Sequence, residues 1–297
     1  MFKETGFWKV WILASRPKTL PAAAAGVVMG SAMAWFDGSL RIDTMLVCLV
    51  CALLLQISSN LANDVFDFER GTDTAGRLGP MRVTQAGLLT PRQVKTGLII
   101  TIILAAVLGL YLVWLRGLPI LLIGIAAILS AVAYTGGPFP LGYYGLGEIL
   151  VFLFFGLASV IGTYYVQTGV VTPPAVWMAI PPGMIITAIL VVNNLRDLEN
   201  DREAGKNTLA VILGESATKI EYAVCIAIAY LVLPLAVWAT IVPWTALLTW
   251  LSLPLALKAM HETYTKKGRP LNAALAATGR TALAFSLLFW AGLLFRP

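Results

Sequence analysis

The chain has 297 residues, of which 59% are hydrophobic and only 12% charged, and its mean hydropathy is +0.83. A soluble core cannot bury so much apolar surface, so the composition predicts one integral-membrane domain over residues 1–297 and excludes a wholly soluble fold. The net charge of +6 then reflects membrane topology, and no nucleic-acid partner is expected. The single histidine excludes a histidine-based catalytic triad or metal site.

The N-terminal segment, residues 1–19, contains a short apolar run among Lys3, Lys9, Arg16 and Lys18. This run is too short to cross a bilayer, so it predicts an interfacial helix with basic flanks. Longer apolar runs follow and predict an all-α bundle of about nine transmembrane helices, at about 20–36, 43–63, 96–115, 118–135, 147–166, 174–196, 220–241, 244–261 and 273–295.

The basic residues indicate the orientation of this bundle. With a cytoplasmic N-terminus, eighteen of the twenty-one lysines and arginines fall on the cytoplasmic side, and the exceptions are Arg41, Arg116 and Arg296. Cytoplasmic loops carry such an excess of basic residues. We therefore expect a protein of the plasma membrane whose second and sixth spans end in the cytoplasm.

Two short segments at the ends of those spans hold eight of the fifteen acidic residues. The first covers residues 60–73 and the second covers residues 193–208, with four acids each. Both begin with Asn-x-x-x-Asp, and in both further acids follow before a glycine, Gly71 or Gly205. The shared pattern is typical of an internal duplication that places two Asp-rich segments on one face of the membrane.

Helical spacing places several of these polar residues on common faces, because residues three or four apart are neighbours on a helix. The two expected stripes are Asn60, Asp64 and Asp67 at the end of the second span, and Asn193, Asp197 and Asp201 at the end of the sixth. Facing carboxylates at the mouth of a bundle would repel each other. A hard divalent cation removes that repulsion, and oxygen ligands favour Mg²⁺ or Ca²⁺. We therefore expect a metal-bound diphosphate between the segments.

Basic side chains interleaved with the acids can meet the remaining phosphate oxygens. The candidates are Arg70, Arg77, Arg82, Arg196, Arg202 and Lys206. The predicted substrate-binding set comprises these residues except Arg196, together with Tyr134 and the two asparagines of the stripes. Asp64, Asp67, Asp197 and Asp201 form the predicted catalytic and metal-binding set.

The acidic patterns resemble the two Asp-rich motifs of the UbiA-type intramembrane prenyltransferases. The first is Asn-Asp-x-x-Asp at 63–67 with a third acid at Asp73, and the second is Asp-x-x-x-Asp at 197–201. The resemblance extends over nearly the whole chain. It implies that Asp73 is a further metal ligand, although Asp73 follows Asp67 at a longer spacing than is common in the superfamily.

Shorter stretches resemble the branch of that superfamily which prenylates 1,4-dihydroxy-2-naphthoate in menaquinone synthesis. They are Arg16–Pro21, Asn60–Asp64, Gly79–Arg82, Gly142–Glu148, Asn193–Asp197 and Gly205–Thr208. The resemblance implies a Mg²⁺-dependent transferase that joins a polyprenyl diphosphate to this acceptor, releases CO₂ and diphosphate, and gives demethylmenaquinol. Aromatic faces would hold the allylic carbocation, and the candidates are Tyr134, Phe139, Tyr143 and Tyr144.

Other readings of the sequence stay open at this point. Within the superfamily the acceptor could be 4-hydroxybenzoate, homogentisate, haem, chlorophyllide or a glycerol phosphate. A different class of protein, a cation-binding transporter, is less favoured because transporters place ionisable groups near the membrane midplane. No acid lies in the middle of a predicted span.

Overall fold

The structure is a computed structural model that describes residues 6–73 and 76–295. Every regular element within those ranges is helical. The α-helices are α1 (Phe7–Ser15), α2 (Leu20–Phe36), α3 (Ile42–Glu69), α4 (Pro91–Arg116), α5 (Leu118–Ala133), α6 (Gly147–Val151), α7 (Ser159–Thr168), α8 (Pro173–Glu203), α9 (Leu209–Leu213), α10 (Glu215–Trp238), α11 (Leu253–Thr265) and α12 (Leu271–Leu294). Short 3-10 helices cover Pro17–Thr19, Leu141–Tyr143 and Trp244–Ser252, and Phe152–Ala158 is a π-helical segment joining α6 to α7.

Seven helical segments of the described chain are long and apolar enough to cross a membrane: Phe7–Phe36, Ile42–Glu69, Pro91–Arg116, Gly147–Thr168, Pro173–Glu203, Glu215–Trp238 and Leu271–Leu294. The fold is thus that of an all-α integral membrane protein. The predicted count of nine is not confirmed, because two predicted spans correspond to shorter elements. The fourth is the 16-residue α5, and the eighth is divided between the 3-10 helix at Trp244–Ser252 and α11.

Helix α8 lies at the centre of the bundle, where it packs against α2, α10 and α12. Small residues permit the closest approaches. A Cβ added to Gly26 would lie 2.3 Å from the Ser159 hydroxyl, and one added to Gly30 would lie 2.4 Å from the Val160 carbonyl oxygen. The Gly-x-x-x-Gly pair of α2 therefore packs directly on α7, as small residues commonly do in membrane bundles.

The ends of α3 and α8 meet at one end of the bundle. Asn200 donates to the Gly76 carbonyl at 3.4 Å, and the Asn207 amide donates to the Tyr143 carbonyl at 2.9 Å. The first bond joins the loop after α3 to the end of α8, and the second joins the loop after α5 to the loop after α8. The two Asp-rich segments consequently lie beside each other, although they are far apart in sequence. Lys3 and Arg296, which contribute to the predicted basic asymmetry, lie outside the described residues.

Candidate active site

A cavity of about 820 Å³ begins between the two Asp-rich segments and extends into the bundle. Its outer end is polar and is lined by the ends of α3 and α8 and by the loop after α3. Its inner part is apolar, and the lining there includes Ala105, Gly109, Ile120, Gly124 and Phe155. One cavity therefore joins a charged mouth to a long apolar interior.

Helix α3 presents a polar stripe to this cavity, formed by Gln56, Asn60, Asn63 and Asp67. Asp64, which the sequence assigns to that stripe, is placed elsewhere. It is buried, and its two carboxylate oxygens accept the backbone N–H groups of Val83 and Thr84, each at 3.0 Å. It is not among the residues that line the cavity. The geometry places Asp64 against the loop rather than against a ligand in the cavity.

Asp67 is the centre of a buried ionic cluster. Arg82 Nη2 lies 2.6 Å and Lys206 Nζ lies 3.3 Å from its carboxylate oxygens, and the Tyr143 hydroxyl also donates to it. Asp73 continues the cluster, with Arg77 Nη1 at 3.0 Å and Arg82 Nη1 at 3.4 Å. Arg82 thus joins two acids of the first segment, and Lys206 of the second segment contacts one of them, Asp67, directly.

Burial and charge act against each other on the loop groups of this cluster. Burial alone would lower the pKa of Arg82, but the carboxylates of Asp67 and Asp73 outweigh it and raise that pKa. Burial, together with the charge of Arg82, lowers the pKa of Arg77. Burial and the neighbouring Asp67 raise the pKa of Tyr143. Tyr143 therefore keeps its proton and acts as a hydrogen-bond donor, while the guanidinium groups stay charged.

The acids of the second segment differ in their surroundings. Arg196 Nε donates to Asp197 at 3.0 Å, and the same guanidinium donates to the side-chain oxygens of Asn193 and Asn272, each at 2.8 Å. Asp201 is buried, and the cation paired with it is Lys206 at 4.0 Å. Asn193, Asp197 and Asp201 all line the cavity. The predicted second stripe is therefore brought together at one site, with Asp201 weakly compensated.

Several predicted residues lie apart from this site. Arg70 donates to the Gly137 carbonyl, and Arg202 pairs with the exposed Glu199 at 2.8 Å. Neither arginine lines the cavity, and the same is true of the exposed Phe139 and Tyr144.

Two of the predicted aromatic side chains, Tyr134 and Tyr143, do line the cavity. However, Lys206 Nζ lies 4.6 Å from the Tyr143 ring centroid. A face that already contacts a cation is a poor place for a carbocation, so Tyr134 is the better-placed of the two aromatic rings.

The carboxylate oxygens at the mouth of the cavity are suitable ligands for a hard divalent cation, but they do not form a closed coordination site. Carboxylates of Asp67, Asp73, Asp197 and Asp201 line the cavity. Asp73 Oδ2 is buried and accepts no hydrogen bond from the described residues, and its ion-pair contact is Arg82 Nη1 at 3.4 Å. In the part of the chain that the structure describes, no three acidic, histidine or cysteine side chains converge into a ready-made metal cage. Mg²⁺ does not require one, because it takes one or two protein carboxylates and completes its shell with water and phosphate oxygens.

Sequence reasoning missed some of the polar lining. Gln56 and Asn63 lie three or four residues from members of the predicted stripe, so helical spacing could have found them. Asn194 also lines the cavity, and its amide donates to Glu148 at 2.8 Å. Arg16 lies in the α1–α2 turn, and no periodic pattern connects it to the Asp-rich segments.

Comparison with known proteins finds a matching family model and similar enzymes. A model of the UbiA prenyltransferase family matches residues 22–286. The 1,4-dihydroxy-2-naphthoate octaprenyltransferase of Haemophilus influenzae is 38% identical over 295 residues, covering 96% of each chain. The enzyme of the same name from Escherichia coli is 40% identical over 302 residues, covering 96% of this chain and 95% of that protein.

A solved structure supports the same fold. A UbiA homolog from Archaeoglobus fulgidus, bound to DMAPP and Mg²⁺, superposes with a TM-score of 0.68 at 14% identity and covers 96% of this chain and 99% of its own. At that identity the likeness concerns the fold alone, whereas the family model and the two relatives extend over most of the sequence. The chain belongs to the UbiA prenyltransferase family.

Proposed function

We propose that this chain transfers a polyprenyl group from a polyprenyl diphosphate to 1,4-dihydroxy-2-naphthoate, releasing CO₂ and diphosphate and giving demethylmenaquinol for menaquinone synthesis. Relatives named for octaprenyl transfer to this acceptor match at 38% and 40% identity over nearly the full length. The observation that carries the proposal is the single cavity that joins the ionic cluster to an apolar interior. Such a cavity suits a substrate with a diphosphate head and a hydrocarbon tail.

The cations of the cluster would meet the diphosphate. Arg77, Arg82 and Lys206 line the cavity, and each is held by an aspartate at 3.0, 2.6 and 3.3 Å respectively. Cations fixed in this way need no reorganisation when negative charge develops on the leaving group, which is the condition for strong electrostatic catalysis. When bound by Asp67, Asp73, Asp197 and Asp201, Mg²⁺ would supply further neutralisation of the departing diphosphate.

The apolar interior would bind the tail and keep water away from the reacting carbon. Its wall includes Ala105, Gly109 and Gly124, and a Cβ added to either glycine would meet no atom within 4 Å. Space is therefore available along the wall. Water must be excluded because it would quench an allylic carbocation. Tyr134 contributes an aromatic face to the same cavity, and such a face can stabilise a cation.

The remaining predicted residues act at a distance from the reacting atoms. Asp64 holds the loop that carries Arg82, through its bonds to the backbone of Val83 and Thr84. Asn193 orients Arg196 beside Asp197. The exposed Arg70 and Arg202 add positive charge near the mouth, which attracts an anionic substrate.

We further propose the plasma membrane as the location, with the mouth of the cavity facing the cytoplasm. The support is the excess of lysine and arginine on that face. In this arrangement α5 and the segment formed by Trp244–Ser252 and α11 complete a set of nine crossings. With 16 residues, α5 is shorter than the other spans, and a shorter hydrophobic element can be accommodated by local thinning of the bilayer. The other segment joins a 9-residue 3-10 helix to the 13-residue α11.

The test is an acceptor panel with the purified protein in detergent or lipid. The protein is incubated with Mg²⁺, a polyprenyl diphosphate and, separately, 1,4-dihydroxy-2-naphthoate, 4-hydroxybenzoate and homogentisate. Mass spectrometry should find one prenylated, decarboxylated naphthalene product. Prenylation of 4-hydroxybenzoate or homogentisate in preference to the naphthoate would refute the assigned acceptor, and no transfer to any acceptor would refute the assigned reaction.

A further inference from the structure

Arg16, at the turn between α1 and α2, has an unusual backbone conformation. Its φ of 50° and ψ of 69° lie in the left-handed region, which only one other non-glycine residue of the described chain, Thr240, enters with positive φ. Pro17 follows, and a residue before proline does not readily continue a right-handed helix. The left-handed conformation costs about 1–2 kcal/mol for a residue with a Cβ, and glycine is the usual choice at such a helix end. An arginine at this place indicates a use for its side chain.

Helix α3 holds this turn in place. Asn60 Nδ2 donates to the Ser15 carbonyl and to the Thr19 hydroxyl, both at 3.0 Å. Gln56 Nε2 donates to the same hydroxyl at 3.2 Å and to Asn60 Oδ1 at 3.3 Å. The Asn60 amide is therefore fully engaged in fixing the turn. A local conformation that costs free energy persists when its surroundings determine it in this way.

The Arg16 guanidinium belongs to the cavity wall and makes no ion pair with a residue of the described chain. Arg16 lines the cavity, and its Nη2 is buried with no hydrogen-bond partner. Within residues 6–73 and 76–295, no carboxylate oxygen lies within 4.0 Å of it. By contrast, Arg77, Arg82 and Lys206 each pair with an aspartate. A guanidinium nitrogen that is buried without an acceptor is costly, and an anion can supply the missing acceptor.

We propose that Arg16 binds the carboxylate of the aromatic acceptor. This inference rests on the proposed function, because it assumes an acceptor that carries a carboxylate. The flat guanidinium fork matches a carboxylate in a two-bond geometry. The three aspartate-paired cations are assigned to the diphosphate, so Arg16 is left for the second anion. Lys18, the other lining cation without an aspartate partner in the described chain, is exposed, and water already solvates it.

The position of Arg16 suits the chemistry. Arg16 lines the same cavity as Arg82, Arg77 and Asp67 of the ionic cluster, and the charges of these residues and of Asp64 act on it. An acceptor held there by its carboxylate has its ring beside the carbon that bears the diphosphate, and the new carbon–carbon bond requires that proximity. An analogue without the carboxylate leaves the buried Nη2 without an acceptor. A site built around a polar group rejects analogues that lack that group strongly, so we expect a preference of about 100-fold.

The test compares 1-hydroxy-2-naphthoate with 1-naphthol, two stable probes that differ by the carboxylate. Their affinities for the full-length protein are measured by tryptophan fluorescence without any prenyl diphosphate, so that the readout does not depend on turnover. The wild type should prefer the carboxylate by about 100-fold. Arg16→Gln should bind both probes within about threefold of each other. Arg16→Lys keeps the charge and much of the bulk but lacks the fork, so it should retain a preference of about tenfold.

Lys9→Gln is the matched control, because it removes a charge from an exposed position of the adjoining helix, and it should keep the full preference. Michaelis constants for the polyprenyl diphosphate are measured in parallel and should change by less than about threefold in Arg16→Lys. An unchanged carboxylate preference in the Arg16 variants would overturn the proposal. A rise in the diphosphate Michaelis constant with the preference intact would also overturn it, by assigning Arg16 to the diphosphate. A wild type that shows the preference but forms no product would refute the proposed reaction and leave the carboxylate site standing.

Discussion

Replacing Asp201 by asparagine should remove most turnover while leaving the free energy of unfolding almost unchanged. The residue is 9% exposed, and its paired cation, Lys206 Nζ, is 4.0 Å away. At an effective dielectric constant of about 20, that pair is worth about 4 kcal/mol. Burying the carboxylate costs several kcal/mol, so the two effects nearly cancel. Lys206 also keeps Asp67 at 3.3 Å, so removing the Asp201 charge leaves no cation without a partner.

The assay for Asp201→Asn combines turnover at saturating substrates with thermal unfolding in the same detergent. We expect kcat to fall by about 100-fold, as when one preorganised charge is removed from an active site, and the free energy of unfolding to change by less than about 1 kcal/mol. Glu69→Gln is the control, since it removes the same charge from an exposed pair with Lys95 at 2.7 Å, and such pairs contribute little. Turnover within threefold of the wild type, or a loss of several kcal/mol in stability with a matching loss of activity, would refute the reasoning.

Three further outcomes follow from the same geometry. Asp64→Asn should have the opposite effect to Asp201→Asn. It removes one of the two charged hydrogen bonds to the loop backbone, so the free energy of unfolding should fall by about 2–3 kcal/mol. Unchanged stability with lost turnover would instead indicate that Asp64 binds a ligand. EDTA should abolish activity and Mg²⁺ or Mn²⁺ should restore it, whereas full activity after exhaustive chelation would contradict a metal requirement. A cysteine at the exposed Glu199 should react with an impermeant thiol reagent from the cytoplasmic side, and one at Asp43 from the other side; the reverse pattern would invert the proposed orientation.

Glu199 is a better labelling position than Thr74 or Gly205 of the loops that follow α3 and α8. Thr74, at the centre of the loop after α3, lies outside the described residues. Gly205 has a φ of 70°, which a cysteine would adopt only with strain. The natural cysteines do not compete, because Cys48 and Cys225 are buried and Cys51 is only partly exposed within α3.

Helical periodicity predicted much of the site. Asp67, Asp197 and Asp201 line one cavity, because residues three or four apart share a helix face and the two helices end at the same level of the bundle. Asp64 satisfies the same spacing but faces Val83 and Thr84. That partner comes from a loop about twenty residues further along the chain. Periodicity describes one helix and carries no information about which loop covers it.

The membrane helices were predictable to a similar degree. Apolar runs indicate where helices cross, so α3, α4, α8, α10 and α12 lie where their runs place them. The 3-10 helix at Trp244–Ser252 was not predictable, because hydropathy constrains composition and not the hydrogen-bonding pattern of the backbone. The π-helical segment was missed for the same reason.

The role of Arg16 was also out of reach of the sequence alone. Its relevant features are a left-handed backbone, a clamp supplied by Asn60 and an unpartnered nitrogen in the cavity. Each of these depends on contacts between segments that are distant in the chain. Asn60, which the sequence predicts to bind substrate, lines the cavity and also donates to the Ser15 carbonyl and the Thr19 hydroxyl of the α1–α2 turn.

The reaction itself is tested most directly with 1,4-dihydroxy-2-naphthoate labelled with ¹³C in its carboxylate. Purified protein, Mg²⁺ and a polyprenyl diphosphate are incubated with this acceptor, and labelled CO₂, diphosphate and prenylated product are quantified together. The proposed reaction predicts that the three appear in equal amounts and that the product has lost the label. Diphosphate released without prenylated product, or a prenylated product that retains the label, would contradict it.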